Sequence, residues 1–386
     1  MTETSTPLNV AVIGYGFSAK IFHIPFIAQL SRENSSSLRL YGIVQRNPTP
    51  SDDATKEHAD IKTWRSSDEM LEDVAVDVVV VTTLPESHFA LTKAALEKGK
   101  HVIVEKPFVP TSAEAEELDR ISKEKGKLIA VYQNRRYDTD FLAVSSLIRD
   151  GTLGRVTEFE SHFDRYAPVP SNRASWRAEA RPGTGQIYDL GTHLMDQIVA
   201  LYGLPDRITA FIGNQRSGVP LDAEPGDSFT ALLHYDNVGL SVDGEKGPLL
   251  ATAKASVVSP EKDQLRYWVR GTKGSFKKFH FDCQEEMLLA GKMPWDEGFG
   301  IEGVEASGAV TTVGESEEMK TERLVPVSPS TYTEFYRRFV KAVRGDGEVP
   351  VSAKDGANVI RLVELCKESS KTGRTLQVKP ALYVRG

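Results

Sequence analysis

An apolar strand that runs directly into a glycine-rich turn constrains the fold of this chain more than any other feature. Residues 8–13 read Leu-Asn-Val-Ala-Val-Ile, and residues 14–19 follow without a gap as Gly-Tyr-Gly-Phe-Ser-Ala. In such a G-x-G-x-x-A pattern the first glycine permits a tight turn, the second lets the backbone approach a pyrophosphate, and the alanine lets the next helix pack on the strand. The pattern predicts dinucleotide binding, with an ordinary glycine turn as the alternative. The predicted contacts are Gly14, Gly16, Phe17, Ser18 and Ala19.

Strands and helices alternate through the first part of the chain. Further strands are predicted at residues 38–45, 76–82, 102–104 and 128–132, each a short run rich in apolar residues. The segments between them have helical spacing, and one helix at residues 111–125 has Thr111 or Ser112 as its N-cap and Gly126 as its stop. This alternation is typical of a doubly wound parallel sheet, so we place a Rossmann dinucleotide-binding domain at residues 1–133.

The end of the second predicted strand indicates which dinucleotide is bound. An NAD enzyme usually has an Asp or Glu there to bind the ribose hydroxyls, whereas this chain has Gln45, Arg46 and Asn47. A guanidinium can pair with a 2′-phosphate through charge-assisted hydrogen bonds. Arg46 therefore predicts NADP and leaves NAD open, with an exposed loop arginine as the alternative.

Another strand end carries charged residues, within residues 101–108, which read His-Val-Ile-Val-Glu-Lys-Pro-Phe. The β-branched run predicts a buried parallel strand that delivers Glu105 and Lys106 to its carboxyl end, where open α/β sheets place their chemistry. Pro107 ends the strand by removing a backbone donor, and it favours an extended conformation at Lys106. The alternative is a surface Glu-Lys pair that only ends a strand.

The pattern changes after residues 134–137, which read Asn-Arg-Arg-Tyr. Helices are predicted at residues 140–150 and 185–202, and strands at 155–166, 207–213, 228–235, 249–258, 265–270 and 275–281. Consecutive strands without intervening helices indicate a large, mostly antiparallel open sheet, so residues 134–386 are predicted to form an α+β domain for substrate binding and oligomerisation. Residues 284–316 read as irregular, and amphipathic helices at 332–344 and 353–371 could pack back on the first domain.

The predicted helix at residues 185–202 carries a second constellation. Asp189 and His193 are four residues apart, so in a helix they share a face and the carboxylate can orient the imidazole. Gly191 between them costs about 1 kcal/mol relative to alanine in a helix interior, which often marks close approach by a ligand or another backbone. The alternative is a solvated helix pair.

These motifs, in this order, resemble a known family, the glucose-fructose oxidoreductase / inositol dehydrogenase / MocA-type (Gfo/Idh/MocA) oxidoreductases. The resemblance covers nearly the whole chain and rests on the fingerprint at 14–19, on Glu105-Lys106-Pro107, on residues 134–136 and on the Asp189/His193 segment. The residues around Phe22, His23 and Pro25, and those at 190–194, are most similar to the NADP-linked scyllo-inositol dehydrogenase-like branch.

The resemblance implies a dehydrogenase that oxidises a secondary alcohol of a sugar or cyclitol, with hydride passing to the nicotinamide. Lys106 would donate to the substrate oxygen, His193 would accept the hydroxyl proton, and Asp189 would orient His193 or hold a substrate hydroxyl. The chemistry asks for the same parts, because loss of hydride requires a base and stabilisation of the developing oxyanion.

The resemblance also implies roles for residues around these three. It places Thr83, His88 of a Pro-x-x-His element, and Glu105 near the cofactor, and Asn134 and Arg135 near the substrate or cofactor. Aromatic and arginine side chains after residue 165 could line the sugar site, although core packing or loop anchoring accounts for them equally well. A helix-capping role is the alternative for His88. The candidates for the sugar site are Tyr166, Trp176 and Arg177.

Composition and charge limit the classes of partner. A net charge of −7 without a basic run argues against nucleic acid. The two cysteines have no metal-type spacing, so we predict no metal site and a reducing compartment. No apolar run approaches the roughly 18 residues of a membrane helix, and the polar N-terminus lacks a signal core, so a cytoplasmic location is expected. The large sheet suggests a homo-oligomer, a dimer or tetramer.

Two other functions are compatible with these motifs. One is a reductase of another carbonyl, such as an aldose or dihydrodiol, on the same scaffold. The other is a regulator without catalysis that senses a dinucleotide or sugar. The joint presence of Lys106, Asp189 and His193 favours an enzyme, since a sensor needs no proton relay.

Overall fold

The computed structural model describes residues 6–34, 37–169, 179–240, 244–314, 316–324 and 330–378. These residues form two compact units. The first comprises Met1–Tyr137, Gln284–Gly300 and Ser330–Ala357, and the second comprises Asp138–Cys283, Ile301–Pro329 and Asn358–Gly386. Each unit is therefore assembled from three separate stretches of the chain.

A parallel six-stranded sheet forms the centre of the first unit. Its strand order is β3-β2-β1-β4-β5-β6, and every pairing is parallel. The order reverses between β1 and β4, which is where doubly wound folds place their ligand crevice. The prediction of a doubly wound sheet is confirmed. The strands are β1 (Leu8–Ile13), β2 (Leu38–Val44), β3 (Lys62–Trp64), β4 (Val78–Val81), β5 (His101–Val104) and β6 (Ile129–Val131).

The helix predicted at residues 111–125 begins and ends as its caps predict. Thr111 and Glu114 form a capping box at the start of α5, and Gly126 closes it with a left-handed φ of 60°. The first helical segment is a π-helical turn, Ala19–His23, followed by α1, in which Pro25 sits in the first turn and its missing N–H costs nothing. The helices are α1 (Ile24–Glu33), α2 (Ala54–Glu57), α3 (Ser67–Leu71), α4 (Pro85–Glu97), α5 (Ser112–Lys125), α9 (Gln284–Leu289) and α10 (Thr333–Val343).

A nine-stranded sheet forms the second unit, in the order β14-β13-β12-β11-β7-β10-β9-β8-β15. Only the pairing of β7 with β10 is parallel among the described pairings of this sheet, so the prediction of a mostly antiparallel sheet is confirmed. The strands are β7 (Val156–His162), β8 (Arg207–Gly213), β9 (Ser228–Val238), β10 (Gly247–Ser256), β11 (Leu265–Gly271), β12 (Gly274–Phe279), β13 (Ala309–Val313), β14 (Met319–Arg323) and β15 (Leu376–Gln377). The helices are α6 (Thr139–Arg149), α7 (Gln186–Asp189) and α8 (Gly191–Tyr202), and most of α11 (Ala353–Thr372) also lies in this unit.

The two faces of this sheet differ. Residues such as Phe159, Leu233 and Ala251 are fully buried on one face. Their neighbours in sequence form rows of half-exposed side chains across the other face. One row, fixed by the strand register, runs through Thr209, Leu232, Thr252, Glu160, Trp268 and Lys277. Successive side chains of a strand point to opposite faces, so the alternation follows directly from the sequence pattern.

The single helix predicted at residues 185–202 is wrong in one respect, because the chain forms two helices that meet at Leu190. Gly191 starts α8 rather than lying inside a helix. A Cβ atom there would lie 3.0 Å from Ile187 Cδ1 and 3.2 Å from Phe229 Cζ. The close approach that Gly191 predicted is therefore made by side chains of α7 and β9.

Residues 284–316 are more regular than predicted. They contain α9, a 3₁₀ turn at Val304–Ala306, and β13. Gln284 explains how the segment is held, since its buried side chain donates to the Tyr137 carbonyl at 3.1 Å and accepts from the Tyr332 amide at 3.0 Å. These contacts bring together three distant stretches of the first unit, which a local sequence pattern cannot show. None of the helices in the described part of the chain is long and apolar enough to cross a membrane.

Candidate active site

The glycine fingerprint forms a tight turn between β1 and the first helix. Gly14 has a φ of 99°, and a Cβ atom there would lie 2.8 Å from Thr82 Oγ1, so only glycine fits without strain. Thr82 follows β4 and donates from its hydroxyl to the Ile13 carbonyl at 2.9 Å. Thr82 was missed by sequence reasoning, which named its neighbour Thr83. It fixes the turn by tying the ends of β1 and β4 together.

Gly16 faces open space at the start of the first helix. No atom lies within 4 Å of the position of its Cβ atom, helical structure begins at Phe17, and Ala19 is fully buried. The first amides of a helix have no partner within it and favour anions. The open side of Gly16 and this helix start therefore fit the pyrophosphate of a dinucleotide. Phe17 is 54% exposed beside the turn.

Gln45, at the end of β2, does not present a polar group for a ribose. It is buried, its Nε2 donates to the Asp52 carbonyl at 2.8 Å, and its Oε1 accepts from the Ala54 amide at 2.8 Å. Its side chain thus shapes the loop that follows β2. Arg46 is exposed at this strand end, as its sequence position predicts.

A second arginine lies beside this strand end. The Gln45 amide donates to the Trp64 carbonyl at 3.0 Å, which extends the parallel pairing of β2 and β3, and Arg65 Nη1 donates to the Gln45 carbonyl at 3.2 Å. Arg65 is exposed. Sequence reasoning missed it, because the three-residue strand β3 gives too short a pattern to be recognised.

The acidic side chains of the same loop are already paired. Lys20 lies 2.7 Å from Asp52 and 3.1 Å from Glu57, and Tyr15 donates to Glu57 at 2.8 Å. Hydrogen bonds from Tyr15 and Lys20 hold the pKa of Glu57 below its usual value. Asp52 and Glu57 therefore already have cationic or hydroxyl partners.

Glu105 is tied to three groups at the end of β5. It is only 8% exposed. Its Oε1 accepts from the Ser18 hydroxyl and lies 2.9 Å from His23 Nε2, and its Oε2 accepts from the Lys106 backbone amide at 2.9 Å. Burial alone would raise the pKa of the Glu105 carboxyl, but the hydrogen bond from His23, the charge of Lys106 and the Ser18 hydroxyl hold it below its usual value. Lys106 itself is half-buried.

His88 joins the ends of β4 and β5 from a buried position. Its Nδ1 lies 3.0 Å from the Pro107 carbonyl oxygen, and its Nε2 lies 3.1 Å from that of Thr83. Burial lowers the pKa of His88, and the carbonyl groups oppose that effect. The Thr83 hydroxyl lies 2.6 Å from that of Ser87. His88 thus contacts the turns that follow β4 and β5.

Asn134 and Arg135 are buried in a 3₁₀ turn, Asn134–Tyr137, after β6. Arg135 Nη2 lies 2.6 Å from Glu285 Oε2, and Glu285 belongs to α9. Sequence reasoning could not foresee this ion pair, since the segment that supplies Glu285 was read as irregular.

In the second unit, Asp189 and His193 lie on successive short helices. Asp189 is the last residue of α7 and half-buried, whereas His193 is the third residue of α8 and 4% exposed. Tyr166 follows β7, is 60% exposed and forms a β-bridge with Val258. Trp176 and Arg177 lie outside the described residues.

A buried arginine network holds the helix of His193 to the sheet. Arg266 Nε donates to Asp140 at 3.0 Å, while its other nitrogens donate to Ser161 at 2.9 Å, Gln197 at 2.9 Å and the Tyr267 hydroxyl at 2.7 Å. Gln197 lies on α8, four residues after His193. Arg266 thereby links α6, β7, α8 and β11. Among the described residues, no group of three or more His, Cys, Asp or Glu side chains is arranged to hold a metal ion.

Comparison with known families matches both parts of the chain. Residues 8–133 match "Oxidoreductase family, NAD-binding Rossmann fold", and residues 145–378 match "Oxidoreductase family, C-terminal alpha/beta domain", both of the GFO_IDH_MocA type. The chain belongs to the Gfo/Idh/MocA oxidoreductase family. It therefore carries an NAD(P)-binding Rossmann domain, and the family relationship supports a dehydrogenase that acts on a small molecule.

Individual relatives of this Gfo/Idh/MocA protein extend over nearly its whole length. An uncharacterised oxidoreductase of Schizosaccharomyces pombe is 38% identical and covers 96% of this chain and 100% of its own. The scyllo-inositol 2-dehydrogenase (NADP(+)) IolW of Bacillus subtilis is 34% identical, over 96% of each chain. A solved oxidoreductase structure from Bacillus subtilis, YvaA, superposes with a TM-score of 0.86 at 33% identity and covers 98% of this chain and all of its own.

Proposed function

We propose that this Gfo/Idh/MocA protein is an NADP-dependent dehydrogenase that oxidises a secondary alcohol of a sugar or cyclitol. The observation that carries the proposal is the link between Lys106 and the fingerprint, because Glu105 bonds both the Lys106 amide and the Ser18 hydroxyl. A lysine whose backbone is held next to a dinucleotide fingerprint supports a role for its side chain on a substrate beside the cofactor. The NADP-linked scyllo-inositol 2-dehydrogenase among the relatives supports the choice of substrate class.

The residues of this chain divide the chemistry between them. When bound, NADP supplies the hydride acceptor. Lys106 donates a hydrogen bond to the substrate hydroxyl oxygen and stabilises the negative charge that develops there. His193 accepts the hydroxyl proton, and Asp189 orients the imidazole or binds a neighbouring hydroxyl.

Other side chains are proposed to support binding. Gly14, Gly16 and the first helical turn hold the pyrophosphate, and His88 fixes the strand ends rather than reaching the cofactor, since its two nitrogens face backbone carbonyls. The exposed ring of Tyr166 suits the C–H face of a sugar. Asn134 and Arg135 shape the turn after β6, with Arg135 held by Glu285.

Cofactor choice is testable at the ends of β2 and β3. Arg46→Ala and Arg65→Ala should each weaken NADP+ binding on the order of tenfold to a hundredfold, because each removes charge-assisted hydrogen bonds to a 2′-phosphate. NAD+ binding should change much less. Fluorescence titration of both cofactors measures this difference without relying on turnover.

Arg39→Ala is the matched control, since Arg39 is an exposed arginine at the other end of the same strand, where it bonds Asn9. It should leave both affinities unchanged. Equal affinities of the unaltered protein for NADP+ and NAD+ would contradict the proposed preference.

The substrate class is tested by a panel of inositols and aldoses, with NADPH formation followed by absorbance. Turnover of at least one polyol supports the proposal. If the protein binds NADPH and oxidises none of them, a sensing role replaces the dehydrogenase. If it only reduces aldoses or dihydrodiol-derived carbonyls, the substrate assignment is replaced and the family chemistry stands.

The half-exposed face of the second sheet is proposed to pair two copies of the chain. Phe211 is 65% exposed on that face, and Trp268 lies on it in the row of side chains that runs from Thr209 to Lys277. Apolar side chains spread over a sheet face are typical of an interface. Light scattering should give a dimer or tetramer mass, and Phe211→Lys should lower it, whereas a monomeric mass for the unaltered protein would contradict this proposal.

A further inference from the structure

A chain of buried polar groups lies behind Lys106 in the first unit. Tyr336 on α10 contacts His23, and His23 contacts Glu105, with 2.5 Å between the Tyr336 hydroxyl oxygen and His23 Nδ1 and 2.9 Å between His23 Nε2 and Glu105 Oε1. Tyr336 and His23 are both fully buried. Neither residue belongs to the fingerprint, and neither has a role in the proton transfer proposed above.

The direction of the hydrogen bond between His23 and Glu105 follows from the chemistry of the carboxylate. An ionised carboxylate only accepts, so His23 carries a proton on Nε2 and donates it to Glu105. The other ring nitrogen, Nδ1, faces the Tyr336 hydroxyl at hydrogen-bond distance. Burial, and the charge of Glu105, raise the pKa of Tyr336 well above its usual value, so the hydroxyl keeps its proton. The three side chains therefore form one continuous hydrogen-bonded chain from Tyr336 through His23 to Glu105.

The backbone of this region places His23 for that contact. His23 ends the π-helical turn Ala19–His23, in which the Ile24 amide bonds the Ala19 carbonyl five residues back. A π-helical turn is wider than an α-helical one, and such turns are frequent at functional sites. The ring is also packed against Tyr132, whose centroid lies 4.2 Å away.

Glu105 contacts both parts of the proposed cofactor site, the fingerprint and the end of β5. Its Oε1 accepts from the Ser18 hydroxyl in the fingerprint as well as from His23, while its Oε2 accepts from the Lys106 amide. A carboxylate held by three donors has little freedom to rotate. The spacing between the fingerprint helix and the end of β5 is thus set by one side chain, which His23 holds in place.

We propose that His23 and Tyr336 are positioning residues for the reaction, which fix Glu105 and through it the placement of Lys106 relative to the fingerprint. The inference rests on the proposed function of Lys106. Neither His23 nor Tyr336 is proposed to transfer a proton to or from the substrate. Positioning matters because a misplacement of about 1 Å can cost on the order of a hundredfold in rate.

Single substitutions give the first test. His23→Ala should lower kcat on the order of tenfold to a hundredfold, with KM for the sugar and the cofactor dissociation constant largely kept, because the reacting groups remain but lose their alignment. Tyr336→Phe removes only the hydroxyl and should lower kcat by a smaller factor in the same manner. A loss confined to KM would overturn the proposal.

Tyr132→Phe is the matched control. Tyr132 is a fully buried tyrosine that packs on the same imidazole, but its hydroxyl donates to the Phe22 carbonyl at 2.6 Å instead of to His23. Its loss of a buried hydroxyl should affect thermal stability about as Tyr336→Phe does and leave kcat unchanged. If both variants change kcat equally, the role of Tyr336 is structural and the proposal fails.

A double-mutant cycle tests whether the effect passes through Glu105. His23→Ala should have little further effect on kcat in a Glu105→Gln background, since residues that act through one group are not additive. Additive losses would overturn the inference. The proposed function fails separately, if Lys106→Ala keeps turnover; if that variant is inactive and His23→Ala behaves as Tyr132→Phe does, only the positioning role is lost.

Discussion

Lys106→Ala should lower kcat by about three orders of magnitude, because it removes the donor that stabilises the developing oxyanion and general acid–base groups typically contribute 10² to 10⁴. Cofactor affinity should be largely kept, since the fingerprint turn at Gly14 and Gly16 does not depend on the lysine side chain. Stopped-flow measurement of NADPH formation at saturating substrate, together with fluorescence titration of the cofactor, separates the two effects.

Two further variants sharpen this result. Lys106→Arg keeps the charge but changes the geometry of the donor, so it should recover only part of the rate. Lys98→Ala is the matched control, because Lys98 is an exposed lysine after α4 that pairs with Glu72 on the surface. Unchanged turnover in Lys106→Ala would remove the lysine from the mechanism, and with it the central argument for a dehydrogenase.

Structural features that depend only on residues close together in the sequence could be predicted from it. The strand of four valines in β4 is fully buried, as its uniform apolar run requires, and the fingerprint turn has the left-handed φ that Gly14 predicts. The capping box at Thr111 depends on residues three positions apart and was equally visible. Short strands such as β3 and β15 were not predicted, since two or three residues are too few to show a periodic pattern of apolar side chains.

Contacts between distant stretches could not be read from the sequence. His23 and Tyr336 are 313 positions apart, and nothing in the helical pattern of α10 marks the tyrosine as a partner of the fingerprint helix. The same holds for the pair of Arg135 with Glu285. Asp189 and His193 show that a local pattern can also mislead. Their spacing predicted one helix, whereas the chain forms two helices here, and Gly191 at the start of the second packs against Phe229.

Arg266 is the clearest case in which sequence gave no warning and the structure predicts a large effect. Its side chain is fully buried between Leu265 and Tyr267 in β11, and its charge is balanced by Asp140. Burial tends to lower the pKa of the Arg266 guanidinium, but the neighbouring hydroxyl and carboxylates raise it overall, so the guanidinium remains protonated. Helix α8, which carries His193, contacts this pair through Gln197.

Arg266→Ala should therefore destabilise the second unit by about 3–5 kcal/mol, because it leaves the Asp140 carboxylate buried without its counter-ion. Among the described residues, Asp140 Oδ1 has no hydrogen-bond partner of its own, so no further hydrogen bond to that oxygen offsets the loss of Arg266. Since the chain forms two compact units, peptide-resolved hydrogen exchange is the measurement that assigns the loss to the second one.

A matched substitution of a surface arginine tests whether loss of the buried ion pair causes the loss of stability. Arg270→Ala, on the same strand, removes partly exposed pairs with Glu158 and Glu160 and should cost at most about 1 kcal/mol. Replacing both members of the buried pair, Arg266→Met with Asp140→Leu, should recover much of the lost stability, because no uncompensated charge remains. If the Arg266→Ala variant is as stable as Arg270→Ala, the network does not hold α8.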